Sequence, residues 1–101
     1  MSVVLVSPAI RENAASGTEL RLTAADVQGV VSIILSAPAA NTGTIYVGDS
    51  NVSTTRGIAI IKGTTQVINA PDGQFLDIYN MWFDAATSGD DLLVSYLVKV
   101  N

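Results

Sequence analysis

The sequence predicts an all-β fold: a single-domain antiparallel β-sandwich, jelly-roll-like, built from about seven or eight short strands spaced by roughly 8 to 12 residues. Three observations carry this expectation. β-Branched residues come in short runs bounded by Gly, Pro, Asn, Asp and Ser. Apolar side chains recur at every second position rather than at helical spacing. No run is long enough for a helix to bury one face, so negligible helix is expected. A chain of 101 residues, 49% apolar and 14% charged, is sized for one domain. It contains no cysteine, so the core has to hold it without disulfides.

Val3, Val4, Leu5 and Val6 make the first apolar run; Pro8 follows, and residues 11–17 have loop composition. Residues 1–17 therefore read as an N-terminal arm that docks on a partner or as an edge strand, the arm being preferred, and 18–101 as the sandwich itself. Residues 18–23 alternate, with Leu20 and Leu22 on one face and Glu19 and Arg21 on the other, as in a half-buried strand. Residues 30–35 are apolar on both faces except at Ser32, which predicts a central strand covered on both sides and closed by Pro38. Asn41-Thr42-Gly43 turns the chain into 44–48, where Ile45 and Val47 point one way and Tyr46 the other. Residues 49–57 form a polar loop anchored by Val52. Residues 58–62 and 66–69 flank the turn at 63–65 and look like a hairpin. Pro71-Asp72-Gly73 is a turn, 75–83 is apolar and aromatic, and 87–90 turns into a last strand with Leu92, Val94, Tyr96, Val98 and Val100 on one face.

Composition removes most chemistry. Without histidine or cysteine there is no thiol catalysis, no serine–histidine–acid relay and no ordinary zinc site, and no glycine-rich loop opens a helix for a nucleotide. Neither an enzyme nor a cofactor is expected. A net charge of −4, with Arg11, Arg21, Arg56, Lys62 and Lys99 scattered, argues against nucleic acid and against an anionic membrane surface. The first residues lack a cationic start and a long apolar run, so neither a signal peptide nor a membrane span is expected.

The remaining polar motifs read as turns. Asp90 and Asp91 are adjacent, and neighbours in a strand point to opposite faces, so they cannot flank one substrate. Asp49-Ser50-Asn51 resembles the start of a calcium loop without the glycine and distal glutamate of an EF-hand. Asn41-Thr42-Gly43 carries an amide where an aspartic protease has its carboxylate. Asn51-Val52-Ser53 fits the glycosylation sequon, which matters only in a secretory pathway. Trp82 between Met81 and Phe83 reads first as core filling. If its two neighbours face the core, however, Trp82 faces away from it and needs a cover from a loop or a partner.

From Thr18 onward the chain resembles a group of small tailed-bacteriophage virion proteins. The matching pieces are Gly17-Thr18-Glu19-Leu20, Val30-Val31-Ser32-Ile33, the run Asn41-Thr42-Gly43-Thr44-Ile45-Tyr46-Val47-Gly48-Asp49-Ser50-Asn51-Val52, Arg56-Gly57-Ile58, and Ser88-Gly89-Asp90 leading into Val94-Ser95-Tyr96. The long run from Asn41 is the most specific. Ile61-Lys62-Gly63 departs from the usual Pro-Gly or Ala-Gly before the turn, and residues 1–17 match no shared element. The resemblance implies a non-enzymatic capsid decoration (cement) protein, made in the host cytoplasm and carried on the virion's outer capsid surface. Its partners would be the major capsid protein and further copies of itself, in a homo-oligomer such as a trimer. The alternatives are a tail or head–tail connector component, or a carbohydrate-binding fibre module. Val3, Val4, Leu5, Val6 and Trp82 are the candidate docking residues.

Overall fold

The computed structural model describes residues 2–7, 10–13 and 15–100. Its strands are β1 (Ser2–Val6), β2 (Arg11–Asn13), β3 (Leu20–Arg21), β4 (Val30–Ser36), β5 (Ile45–Gly48), β6 (Ile58–Ile60), β7 (Thr65–Asn69), β8 (Trp82–Ala85) and β9 (Asp90–Val100). Among the described residues the one helical element is a 3-10 turn, Ile78–Asn80. The pairing is nested. β5 pairs with β6, β4 with β7, β3 with β8, and β1 and β2 with β9, all antiparallel. The chain is thus one long hairpin with its tip in the polar loop after β5. It is rolled so that β4 also meets β9 and β5 also meets β8. Rolling gives two sheets, β1-β9-β4-β7, with β2 also on β9, and β3-β8-β5-β6, which is the wrapping of a jelly roll.

The core lies between the two sheets, where alternate residues of each strand point inward. Ile33 and Leu35 of β4, Leu92, Val94 and Tyr96 of β9, Ile45 and Val47 of β5, and Phe83 of β8 are buried there with Ile60 and Ile78. Strict alternation breaks once. A bulge between Val30 and Ser32 lets Val30 and Ile33 both face inward, although they are three residues apart. Gly57 closes the hairpin tip at φ +125°, and a Cβ there would sit 2.7 Å from the Val47 carbonyl oxygen.

Three sequence expectations need correction, and Pro8, read as following the first run, lies outside the described residues. Residues 11–13 are a strand, because Arg11, Glu12 and Asn13 pair with Leu92, Asp91 and Asp90; side-chain periodicity gives no sign of a strand so polar. The strand expected at 18–23 shrinks to Leu20–Arg21: at its start the Thr18 N–H turns back to Ala15, and beyond it only the Leu22 N–H bond to Met81 O carries the pairing on. The turn at Gly63 is present, but β6 and β7 do not pair. Gly63 N–H donates to Ala37 O (2.7 Å) and Ala37 N–H to Thr64 O (3.0 Å), which ties the turn to the end of β4 and sends the two strands into opposite sheets.

Replacing Phe83 by alanine is expected to cost about 3–5 kcal/mol, as for other buried aromatic truncations, and to appear as a fall in the urea midpoint at unchanged slope. Gly57→Ala should lower the melting temperature more than Gly73→Ala. Both positions have positive φ, but a Cβ at Gly73 meets nothing within 4 Å.

Candidate docking surface

Two parts of the molecule carry unusual chemistry: the loop end where β9 begins, and the outer face of the β1-β9-β4-β7 sheet. At the loop end, Asp90 is buried at the first position of β9, and its two carboxylate oxygens accept from the backbone N–H groups of Thr42 (2.9 Å) and Gly43 (2.8 Å). Asn41, one residue earlier, uses its amide as a strand would use its backbone. Its Nδ2 donates to Asp91 O (2.8 Å) and its Oδ1 accepts from Asp91 N–H (2.9 Å). Gly43 has no room for a side chain, since a Cβ would stand 2.8 Å from Thr87 Oγ1 and 3.1 Å from Ala86 Cβ.

Asp84 is buried beside this cluster. Its Oδ1 accepts from Gly17 N–H (3.0 Å), Ala85 N–H (2.8 Å) and Asn13 Nδ2 (3.3 Å), and Asn13 Nδ2 also donates to Thr18 O (3.1 Å). Both buried carboxylates therefore hold loops. They are satisfied by backbone donors, as a buried charge must be, and neither faces a substrate-sized opening. Asp91 lies on the opposite face from Asp90. Asp49 accepts from the N–H of Asn51 (2.9 Å), closing a turn within its own loop. Among the described residues no three acidic side chains converge on one point.

The strand expected to be covered on both sides, β4, is covered on one only: among the described residues no second layer packs on its outer face, where apolar side chains alternate with hydroxyls and an amide. Directly opposed residues share a face, so the register assigns it: Leu5 sits beside Leu97, Ile34 beside Val67 and Ser95, and Ser36 beside Leu93 and Thr65. Leu5 is 58% exposed and Val67 52%. The gaps are filled by Ser32, Ser36, Ser95, Thr65 and Asn69. Ser32 Oγ donates to Asn69 Oδ1 (2.7 Å), and the Ser36 and Thr65 hydroxyls are bonded to each other (2.7 Å). The charges stay at the ends: Lys99 beside Val3, and Glu12 beside Asp91.

The candidate docking residues divide. Val3 and Leu5 lie on this outer face, whereas Val4 and Val6 point the other way, opposed to Val98 and Tyr96. Trp82 belongs to the other sheet. Phe83 beside it is buried in the core, so Trp82 faces outward, and its cover comes from within the chain. The Arg21 guanidinium lies 4.4 Å from the Trp82 ring and 4.0 Å from that of Tyr79, with Nη1 donating to Tyr79 O (2.5 Å). The outer face at Leu97, Ile34, Val67 and Leu93 was not singled out from sequence. The signal was present in the two-sided apolar pattern of β4 and β9, which equally fits a sheet covered on both faces.

Asp90→Ala is expected to lower stability by about 3 kcal/mol, because it removes two hydrogen bonds to a charged group and strands the Thr42 and Gly43 N–H groups. Equilibrium urea unfolding measures this. No family model, curated protein or solved structure matches the chain.

Proposed function

We propose that the protein is a non-enzymatic virion structural protein of the capsid-decoration type. In this reading it lies on the outer surface of a phage head shell and stabilises the shell by bridging neighbouring copies of the major capsid protein. The observation that carries the reading is the outer face of the β1-β9-β4-β7 sheet, where exposed Val3, Leu5, Val67 and Leu93 stand among hydroxyls and the charges are confined to the two ends. An exposed apolar surface of this kind marks a place where another protein sits. At the Lys99 end of the face Val3 and Lys99 line a shallow cleft with residues 70–75, and the buried carboxylates Asp84 and Asp90 are committed to loop amides rather than to such a cleft. A shallow face of this sort suits repeated weak contacts, which strengthen one another once the first has formed. The jelly-roll wrapping recurs in viral capsid and lectin domains, an analogy of fold that by itself assigns no function. The sugar-binding alternative has one exposed aromatic in its favour, Phe75, whereas Arg21 lies over the rings of Tyr79 and Trp82, and Phe83 and Tyr96 are in the core.

The test is co-sedimentation with empty head shells of the parent particle. The wild-type protein is expected to pellet with shells, and Val67→Asp to remain in the supernatant while melting at the wild-type temperature. Partition with tails rather than shells, or undiminished binding by Val67→Asp, would overturn the reading.

A further inference from the structure

We infer, deepening the assembly-component reading above, that the free edge of β1 pairs antiparallel with β1 of a second copy of this chain, about a two-fold axis at Val4. The β1-β9-β4-β7 sheet has two open edges: β7 on one side, and on the other β1 along the end of β9 followed by charged β2 along its start. Open edges are ordinarily guarded by lysine, proline, a bulge or an inward charge. β1 has none of these: its sequence is Ser-Val-Val-Leu-Val, and its register with β9 runs unbroken from Ser2↔Val100 to Val6↔Tyr96. β7 carries Thr65, Gln66 and Asn69 in its five residues.

The ribbon formed by β1 and the end of β9 is only partly covered by a second layer: Val6 and Val98 still pack on the core. Along the inward side of β9, burial is complete at Leu92 and Val94 and nearly so at Tyr96. It then fades through half-buried Val98 to Val100, which is 38% exposed. Val4, opposed to Val98 on that same side, is 46% exposed. The ribbon therefore extends beyond the cover of the shorter strands of the other sheet, with apolar side chains on both of its faces.

Charge selects the occupant. The chain carries a net charge of −4, yet β1 and residues 92–100 contain no carboxylate and a single cation, Lys99. This is where a second copy of an acidic chain can approach without bringing carboxylates together. The strand is also self-complementary. With the axis at Val4, Val4 opposes Val4 of the second copy, Val3 opposes Leu5 and Ser2 opposes Val6. Like faces then stay together: Val3 and Leu5 of both copies remain on the outer face, and Val4 and Val6 on the inner one. Such an interface is isologous and closed, and it joins two docking faces into one continuous surface.

The chain has no cysteine, so Val4→Cys introduces the sole thiol, placed on the axis. Opposed Cα atoms in an antiparallel pair lie about 4.5–5.5 Å apart, a span that a disulfide bridges. Val67→Cys, at the middle of β7, places an exposed thiol on the other open edge. In sedimentation velocity the wild-type chain is expected at twice its 10.5 kDa mass, and Val4→Lys at the monomer mass. Under mild oxidation Val4→Cys should become covalent dimer, with Val67→Cys lagging far behind. A wild-type monomer across the micromolar range, or cross-linking of Val67→Cys as fast as that of Val4→Cys, overturns the proposal. Should Val4→Lys fail to fold, the cysteine pair decides. Shell binding is read separately: a monomer that still pellets with shells defeats this pairing alone, and a β1-linked dimer that ignores shells defeats the capsid reading alone.

Discussion

The structure depends on two buried carboxylates and two buried amides at one end of the sandwich. A jelly roll has to hold several loops closed over the ends of its core, and this chain has no cysteine for a disulfide and, among the described residues, no helix longer than one turn to do so. Asp90, Asp84, Asn41 and Asn13 take that role. Asp90 and Asp84 accept from main-chain groups of loops distant in sequence, Asn41 bonds the main chain of Asp91 in β9, and Asn13 ties its own loop to Asp84, so the loops after β2, β4 and β8 become one hydrogen-bonded cluster. Burying a carboxylate is costly unless donors surround it, and here the donors are N–H groups that would otherwise be orphaned. The same bonds remove both liabilities.

Much of the topology follows from that cluster. Asp90 and Asp91 are the first residues of β9, the strand on which β1, β2 and β4 all depend for pairing. Fixing the start of β9 against Asn41, Thr42 and Gly43 fixes which of its faces turns inward, since a slip of one residue would move Leu92, Val94 and Tyr96 to the outside. Secured at that end, β9 can run on past the core. The outer sheet face and the free β1 edge are consequences of this arrangement: surfaces that the core does not need and the chain does not cover.

The sequence was legible where side-chain periodicity is strong. Ile45, Tyr46 and Val47 alternate as expected, β4 and β9 are interior strands, and Val52 anchors the polar loop. Strands fixed by hydrogen bonds rather than by apolar pattern were not legible. β2 is Arg-Glu-Asn, a strand because Asp90–Leu92 lies alongside it. Ile58–Ile60 and Thr65–Asn69 looked like a hairpin because local turn chemistry is blind to Ala37, which pulls the turn toward β4. The docking surface was half legible. A run that is apolar on both sides reads equally as a strand buried twice and as a strand with one unpartnered face, and only the placement of the second sheet separates them. Asp84 and Asp90 gave no sign of their role, since a carboxylate that accepts from distant backbone looks, in sequence, like any turn acid.

Native-state hydrogen exchange at the Thr42 and Gly43 amides is the most direct measurement of the central claim. If Asp90 holds that loop as an integral part of the fold, both amides exchange only through global unfolding, at the same free energy as amides of Ile33 and Tyr96 in the core strands, and in Asp90→Asn they fall below it. Exchange of Thr42 and Gly43 at the rate of an open loop in the wild-type protein would contradict the account.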